Sequence, residues 1–165
     1  MVVTSHPAAS KVGAQVWRQG GNAVDAAVAI QFSLNVTEPM MSGIGGGGFM
    51  IVYNQKSGDI SIVDSRERAP AGAEPDMFLD EKGEPIPFRE RHTHGNAVGV
   101  PGTLKGLETA LDRWGTKPLS DLIQPAIRLA DNGVKVNGVL ADAIEENQWK
   151  LSGTATKEVF LPGGE

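Results

Sequence analysis

Gly43-Ile44-Gly45-Gly46-Gly47-Gly48 runs straight into Phe49-Met50-Ile51-Val52-Tyr53. After Lys56-Ser57-Gly58-Asp59 the chain resumes as Ile60-Ser61-Ile62-Val63-Asp64. Two five-residue apolar runs, rich in β-branched residues and separated by a Gly-Asp turn, predict a β-hairpin. The hairpin opens on a glycine loop and closes on Asp64-Ser65-Arg66-Glu67-Arg68-Ala69-Pro70, a charged segment at a strand end. Groups at such positions are held by a rigid sheet and are candidates for binding.

Around this hairpin the periodicity is helical. Asn22 is expected to cap a helix from Ala23 to Leu34, in which only Asp25, Gln31 and Ser33 are polar. A helix apolar nearly all round belongs inside a layered fold, with Gln31 as a buried amide. Before it, Met1-Val2-Val3-Thr4 reads as a strand. A hydroxyl-capped helix then starts near Ser5-His6-Pro7, is marked by Ala9, Val12 and Val16, and ends at Gly20-Gly21. Residues 68–95 are rich in Pro, Gly and charge and predict a long irregular loop. Three further helices are marked by Leu104, Leu107, Leu111 and Trp114, by Leu119 to Ile127 with its end at Asn132-Gly133, and by Val139, Leu140, Ala143 and Ile144. Leu161 to Glu165 reads as a turn. The class is α+β. Three or four strands are too few to stand as an isolated sheet, so residues 1–165 are expected to form a single partial domain of a larger chain.

Composition narrows the function. The net charge of -5 argues against a nucleic-acid partner, which needs a basic face. With no cysteine, disulfides and thiolate chemistry are excluded. No apolar run reaches the roughly 18 residues of a spanning helix, so no membrane partner is expected, and no basic-then-apolar leader is read at the start. Glycine is the outlier, 21 of 165 residues, close to twice the usual ~7%.

Gly43, Gly45 and Gly48 fit the spacing G-x-G-x-x-G. A dinucleotide loop, however, requires a strand before it and a helix after it. Here the order is inverted. A nucleotide-binding module using Gly43-Gly48 is therefore an alternative from another class, beside a loop whose glycines admit close backbone packing. His92-Thr93-His94 lacks a third ligand, so no metal and no cofactor are expected, and both histidines read as solvated loop residues. His6 reads as a helix-start residue. No nucleophile elbow or Ser-His-Asp constellation is present. Arg66, Glu67 and Arg68 are either a surface ion-pair cluster or the place where a guanidinium grips a substrate carboxylate through two parallel hydrogen bonds.

Several longer motifs carry a resemblance. Residues 20–29 (GGNAVDAAVA), 43–50 (GIGGGGFM) and 64–70 (DSRERAP), followed by 76–80 (DMFLD), 99–103 (GVPGT) and 125–130 (PAIRLA), resemble the γ-glutamyltranspeptidase family in order and spacing, most nearly its Bacillus-type members. The resemblance implies an N-terminal-nucleophile hydrolase with an α/β/β/α sandwich. It also implies an inactive precursor that cleaves itself into two subunits. The new N-terminal threonine of the small subunit would attack a γ-glutamyl amide and pass the acyl group to water or an amino acid. This chain would be the N-terminal portion of the large subunit, with the rest of the precursor as its partner and a small γ-glutamyl compound as its substrate. Arg66 would bind the substrate α-carboxylate, Glu67 would support it, and Arg68 would be a surface or structural residue. No catalytic residue is expected in this chain, because the threonine nucleophile is absent, and alone it is expected to be inactive. Cephalosporin (glutaryl) acylases and poly-γ-glutamate depolymerases resemble the same family and offer alternative substrates. A secreted or periplasmic location is what the family favours.

Overall fold

The computed structural model describes residues 1–153 and 155–163. They fall into two compact units, one made of residues 1–73 and 99–134, the other of residues 74–98 and 135 onward.

The first unit is organised around a central helix. Helix α1 (Pro7–Arg18) precedes it, α2 (Ala23–Thr37) is the centre, and a short α3 (Pro39–Ser42) follows. Strands β1 (Phe49–Tyr53) and β2 (Ile60–Asp64) form the predicted antiparallel hairpin, with Ile51 opposite Ile62. Gly58 takes the positive φ of 78° that the turn demands. Beyond residue 98 come α5 (Thr103–Trp114), α6 (Leu119–Leu122) and α7 (Gln124–Asn132). The core joins Val12 and Val16 of α1, Val28 and Phe32 of α2, Leu107 of α5, and Leu122 and Ala126. Each such apolar side chain contributes about 1.5–3 kcal/mol when fully buried.

Asn22 caps α2 as expected. Its Oδ1 accepts from the amides of Val24 (2.8 Å) and Asp25 (3.0 Å), while the Asp25 carboxylate accepts from the Asn22 amide at 2.8 Å. This reciprocal arrangement satisfies amides that the first turn of a helix leaves open. Asp25 is fully buried and does more. It also accepts from the Thr116 amide (2.9 Å), the Thr116 hydroxyl (2.6 Å) and the Lys117 amide (3.2 Å), tying α2 to the turn after α5. Burial alone would raise its pKa. The hydrogen bonds from the Thr116 hydroxyl and from the amides of Asn22, Thr116 and Lys117 outweigh it and hold the carboxyl below its ordinary value of 3.8.

The hairpin is apolar on both faces. Met50 and Val63 turn toward α2 and α5. Phe49, Ile51, Tyr53, Ile60 and Ile62 form the other face, each more than 60% exposed.

Four details depart from the sequence expectation. Met1–Thr4 is not a strand; a strand needs a paired edge, and no described segment pairs with it. The cap of α1 is His6, whose Nδ1 accepts from the Ala8 amide at 3.2 Å, while the Ser5 hydroxyl donates instead to Glu38 at 2.6 Å. The segment from Leu119 onward is two helices, because Pro125 lacks the amide that would bond back into α6. Gln31 is only half-buried and reaches the Ser42 carbonyl at 3.4 Å.

In the second unit, part of the 68–95 segment expected to be irregular forms α4 (Phe88–His92), and a 3-10 turn, Gly95–Ala97, follows at its end. His92 therefore stands on a helix and stacks on Phe88 at 4.9 Å, with its Nε2 3.4 Å from Lys150 Nζ. Helix α8 (Gly138–Glu146) is capped by Asn137, and α9 (Gln148–Leu151) and α10 (Lys157–Phe160) follow. The expected turn at 161–165 lies partly outside the described residues.

Candidate functional site

Three segments of the first unit meet at the end of β2: the glycine loop, residues 64–68, and the entry to α5. The hairpin ladder extends one step beyond its strands, with the Ser65 amide donating to the Gly48 carbonyl (2.9 Å) and the Gly48 amide to Ser65 (3.2 Å). The Ser65 hydroxyl adds a bond to the same Gly48 carbonyl at 3.0 Å. On the other side, Arg68 and Val100 exchange backbone hydrogen bonds of 3.3 and 2.8 Å. Residues 65–68 are thus fixed from both edges.

The glycine loop completes the joint. The Gly46 carbonyl accepts from the amides of Gly102 (2.9 Å) and Thr103 (3.1 Å) and so caps α5. A nucleotide loop would present amides to phosphate at the start of a following helix. This loop presents a carbonyl and lies between α3 and β1, and its Gly47 packs so closely that a β-carbon there would collide with the Ser65 carbonyl. A β-carbon on Gly102 would collide with the Ser65 carbonyl, and one on Gly106 would stand 2.5 Å from the Ser65 side chain.

Arg66 projects from this joint. Its amide is bound by the Asp64 side chain at 3.0 Å, which sets the backbone turn after β2. Its Nη1 lies 3.1 Å from Glu67 Oε2, with side-chain exposures of 59% for Arg66 and 30% for Glu67. That oxygen is itself screened from solvent and receives no well-aligned hydrogen bond, so the contact is an ion pair rather than a directed bond. An ion pair this exposed adds at most about 1 kcal/mol to stability. Arg66 lines an open cleft of about 450 Å³ together with Arg68, Lys105 and Arg113, against a single acidic lining residue, Asp64. The cleft can attract a carboxylate and offers a guanidinium that Glu67 engages through one nitrogen.

The two site residues expected from sequence, Arg66 and Glu67, are therefore brought together. Arg68 lines the same cleft, more than a surface position would suggest. Lys105 and Arg113, one helix-length away in α5, carried no motif that marked them. Gly47 belonged to a loop already read as closely packed and Gly99 and Gly102 to a family-like motif, while Gly106 was visible only as part of the glycine excess. His92 and His94 lie in the other unit, and no group of three potential metal ligands occurs among the described residues.

Comparison with known proteins gives this geometry a family context. The gamma-glutamyltranspeptidase family model matches residues 9–165. The chain is 68% identical over its whole length to the glutathione hydrolase proenzyme of Bacillus subtilis strain 168, and spans 28% of that protein. It is 44% identical to the acylase ACY 1 proenzyme of Pseudomonas sp. strain V22, covering all of this chain and 30% of that one. Among solved structures, Helicobacter pylori gamma-glutamyltranspeptidase superposes with a TM-score of 0.88 at 42% identity, over 94% of this chain and 44% of that one. A model that matches nearly every residue, a close relative and a shared fold agree, and the chain belongs to the gamma-glutamyltranspeptidase family.

Proposed function

We propose that the protein carrying this chain is a γ-glutamyl transferase and glutathione hydrolase, and that these residues supply its anchor for the substrate α-carboxylate. The observation that carries the proposal is Arg66: a guanidinium at a strand end fixed from both edges, lining a cation-rich cleft, with one nitrogen engaged by Glu67. A carboxylate meeting the free side of that fork gains charge-assisted bonds worth roughly 1.5–3 kcal/mol. Glu67 orients the guanidinium, and the surrounding cations draw in the acid. The nucleophilic threonine, the oxyanion hole and the acyl-enzyme step belong to the rest of the precursor, so these residues alone bind and do not turn over substrate. The B. subtilis and Pseudomonas relatives are proenzymes, which supports a self-cleaving precursor here as well.

The remainder of the precursor is the natural cover for the outer hairpin face. Five exposed apolar side chains in one patch are unusual on a free surface. A second sheet stacked on them is what an α/β/β/α sandwich provides.

Arg66→Lys in the full-length protein tests the anchor. Lysine keeps the charge and loses the fork. KM for γ-glutamyl-p-nitroanilide is expected to rise about ten- to a hundredfold, as the loss of such bonds implies. Unchanged kinetics would refute the assignment.

The similarity to an acylase favours a second reading, in which a glutaryl group replaces γ-glutamyl. Arg66 would still meet a carboxylate. Relative hydrolysis of γ-glutamyl-p-nitroanilide and a glutaryl-cephalosporin decides between them, and a clear preference for the second overturns the first.

A further inference from the structure

Glu67 is held in a slot with glycine on two sides. A β-carbon on Gly47 would collide with the Ser65 carbonyl oxygen and would stand 2.9 Å from both Glu67 Oε2 and the Glu67 amide nitrogen. A β-carbon on Gly99 would stand 3.0 Å from Glu67 Cβ and 3.7 Å from its Cγ. Neither wall can give way easily. The Gly47 side is fixed by the Gly48–Ser65 ladder pair and the Gly99 side by the Arg68–Val100 pair. Neither glycine has the positive φ that would by itself call for glycine. Gly99 requires the absence of a side chain next to Glu67, and Gly47 requires it next to both Glu67 and the Ser65 carbonyl.

We propose that Gly47 and Gly99 are positioning residues that set the place of the Glu67 carboxylate, and through its contact with Nη1 the aim of the Arg66 guanidinium. The inference rests on the assignment of Arg66 as carboxylate anchor and extends it to two residues that touch neither substrate nor arginine. The ion pair joins adjacent residues in the sequence, so without a slot the Glu67 carboxylate would sample several rotamers, and the fork with it. Holding the carboxylate between two backbones removes that freedom before substrate arrives.

The test uses the full-length enzyme and γ-glutamyl-p-nitroanilide, with kcat expressed per acylatable active site and a melting curve for each variant. Gly99→Ala is expected to raise KM at least fivefold while kcat stays within twofold. In an Arg66→Lys background the same change is expected to shift KM by less than twofold, since the fork it aims is gone. Gly45→Ala is the control: its β-carbon would meet nothing within 4 Å, and KM should stay within twofold. Gly47→Ala would also displace the Ser65 carbonyl and is expected to lower the melting temperature, so Gly99→Ala, whose β-carbon meets Glu67 first, decides the proposal. A Gly99→Ala enzyme with unchanged KM overturns the proposal. So does an equal rise in the Arg66→Lys background, which would mark a general loss of structure. If Arg66→Lys itself leaves KM unchanged, the anchor assignment fails and the slot with it. If Arg66→Lys raises KM and Gly99→Ala does not, only the slot fails.

Discussion

Ser65 and Gly102 are in backbone contact: the Ser65 carbonyl oxygen fills the space in which a β-carbon on Gly102 would stand. The end of β2 and the entry to α5 are joined there without an intervening side chain. The same carbonyl accepts the Gly48 amide, so one oxygen marks the meeting of strand, glycine loop and helix.

Gly102→Ala should therefore be among the most damaging single-methyl additions in the chain. The methyl group faces backbone, which moves only if the joint opens. Overpacking of this kind costs typically 1–3 kcal/mol and at a rigid backbone contact sits at or above the upper end. Gly45→Ala meets nothing within 4 Å and should change stability by less than about 0.5 kcal/mol. Urea unfolding of both variants checks the contrast, and equal midpoints would contradict it.

Asp25 makes stability depend on pH in the acid range. Its folded pKa lies below the ordinary 3.8, so its contribution is fully present above that value and is lost as pH falls through the lowered one. Asp25→Asn should flatten the acid limb of the stability curve. At neutral pH it should cost roughly 3 kcal/mol, because an amide group now faces donors from Asn22, Thr116 and Lys117. Unfolding free energies between pH 3 and 7 for both proteins provide the measurement.

Phe32 tests the core at its centre. It is 3% exposed and lies in the cluster that joins α2 to its neighbours. Phe32→Ala should destabilise by about 3–5 kcal/mol through lost transfer energy and a residual cavity. A loss below 1 kcal/mol would mean that the site collapses around the gap.

Ile51 and Ile62 face each other on the uncovered side of the hairpin. Introducing Lys at either position should be tolerated by the hairpin, since the side chain reaches water. In the full-length precursor the same change places a charge in the expected contact with a second sheet, where an unpaired ion is strongly disfavoured. Ile51→Lys should reduce the yield of self-cleaved enzyme, read from the ratio of precursor to subunit bands. Normal cleavage would show that this face stays in water.

Much of the molecule was legible in local pattern. Hairpin, helix cap at Asn22, and chain reversals at Gly20, Gly58 and Gly133 are short-range events, decided by side chains within a few residues of where they act. The charged cluster at the end of β2 was legible too, and the proposed anchor role of Arg66 and Glu67 rests on that cluster and on the multi-part motif. Met1–Thr4 has the composition of a strand, yet composition supplies no partner edge. Pro125 divided a helix that apolar spacing had read as continuous.

The sequence by itself determined the hairpin, the longer helices and the family, since these depend on residue order over short spans. Only the tertiary structure decided what four of the glycines are for: Gly47, Gly99, Gly102 and Gly106 are distant or separate in sequence, and what each excludes becomes visible once Ser65 and Glu67 lie against them. It also decided the charge of the cleft, because the packing of α5 beside β2 makes Lys105 and Arg113 line the same cleft as Arg66. Contacts between remote segments follow from how whole elements pack, and no local pattern contains that information.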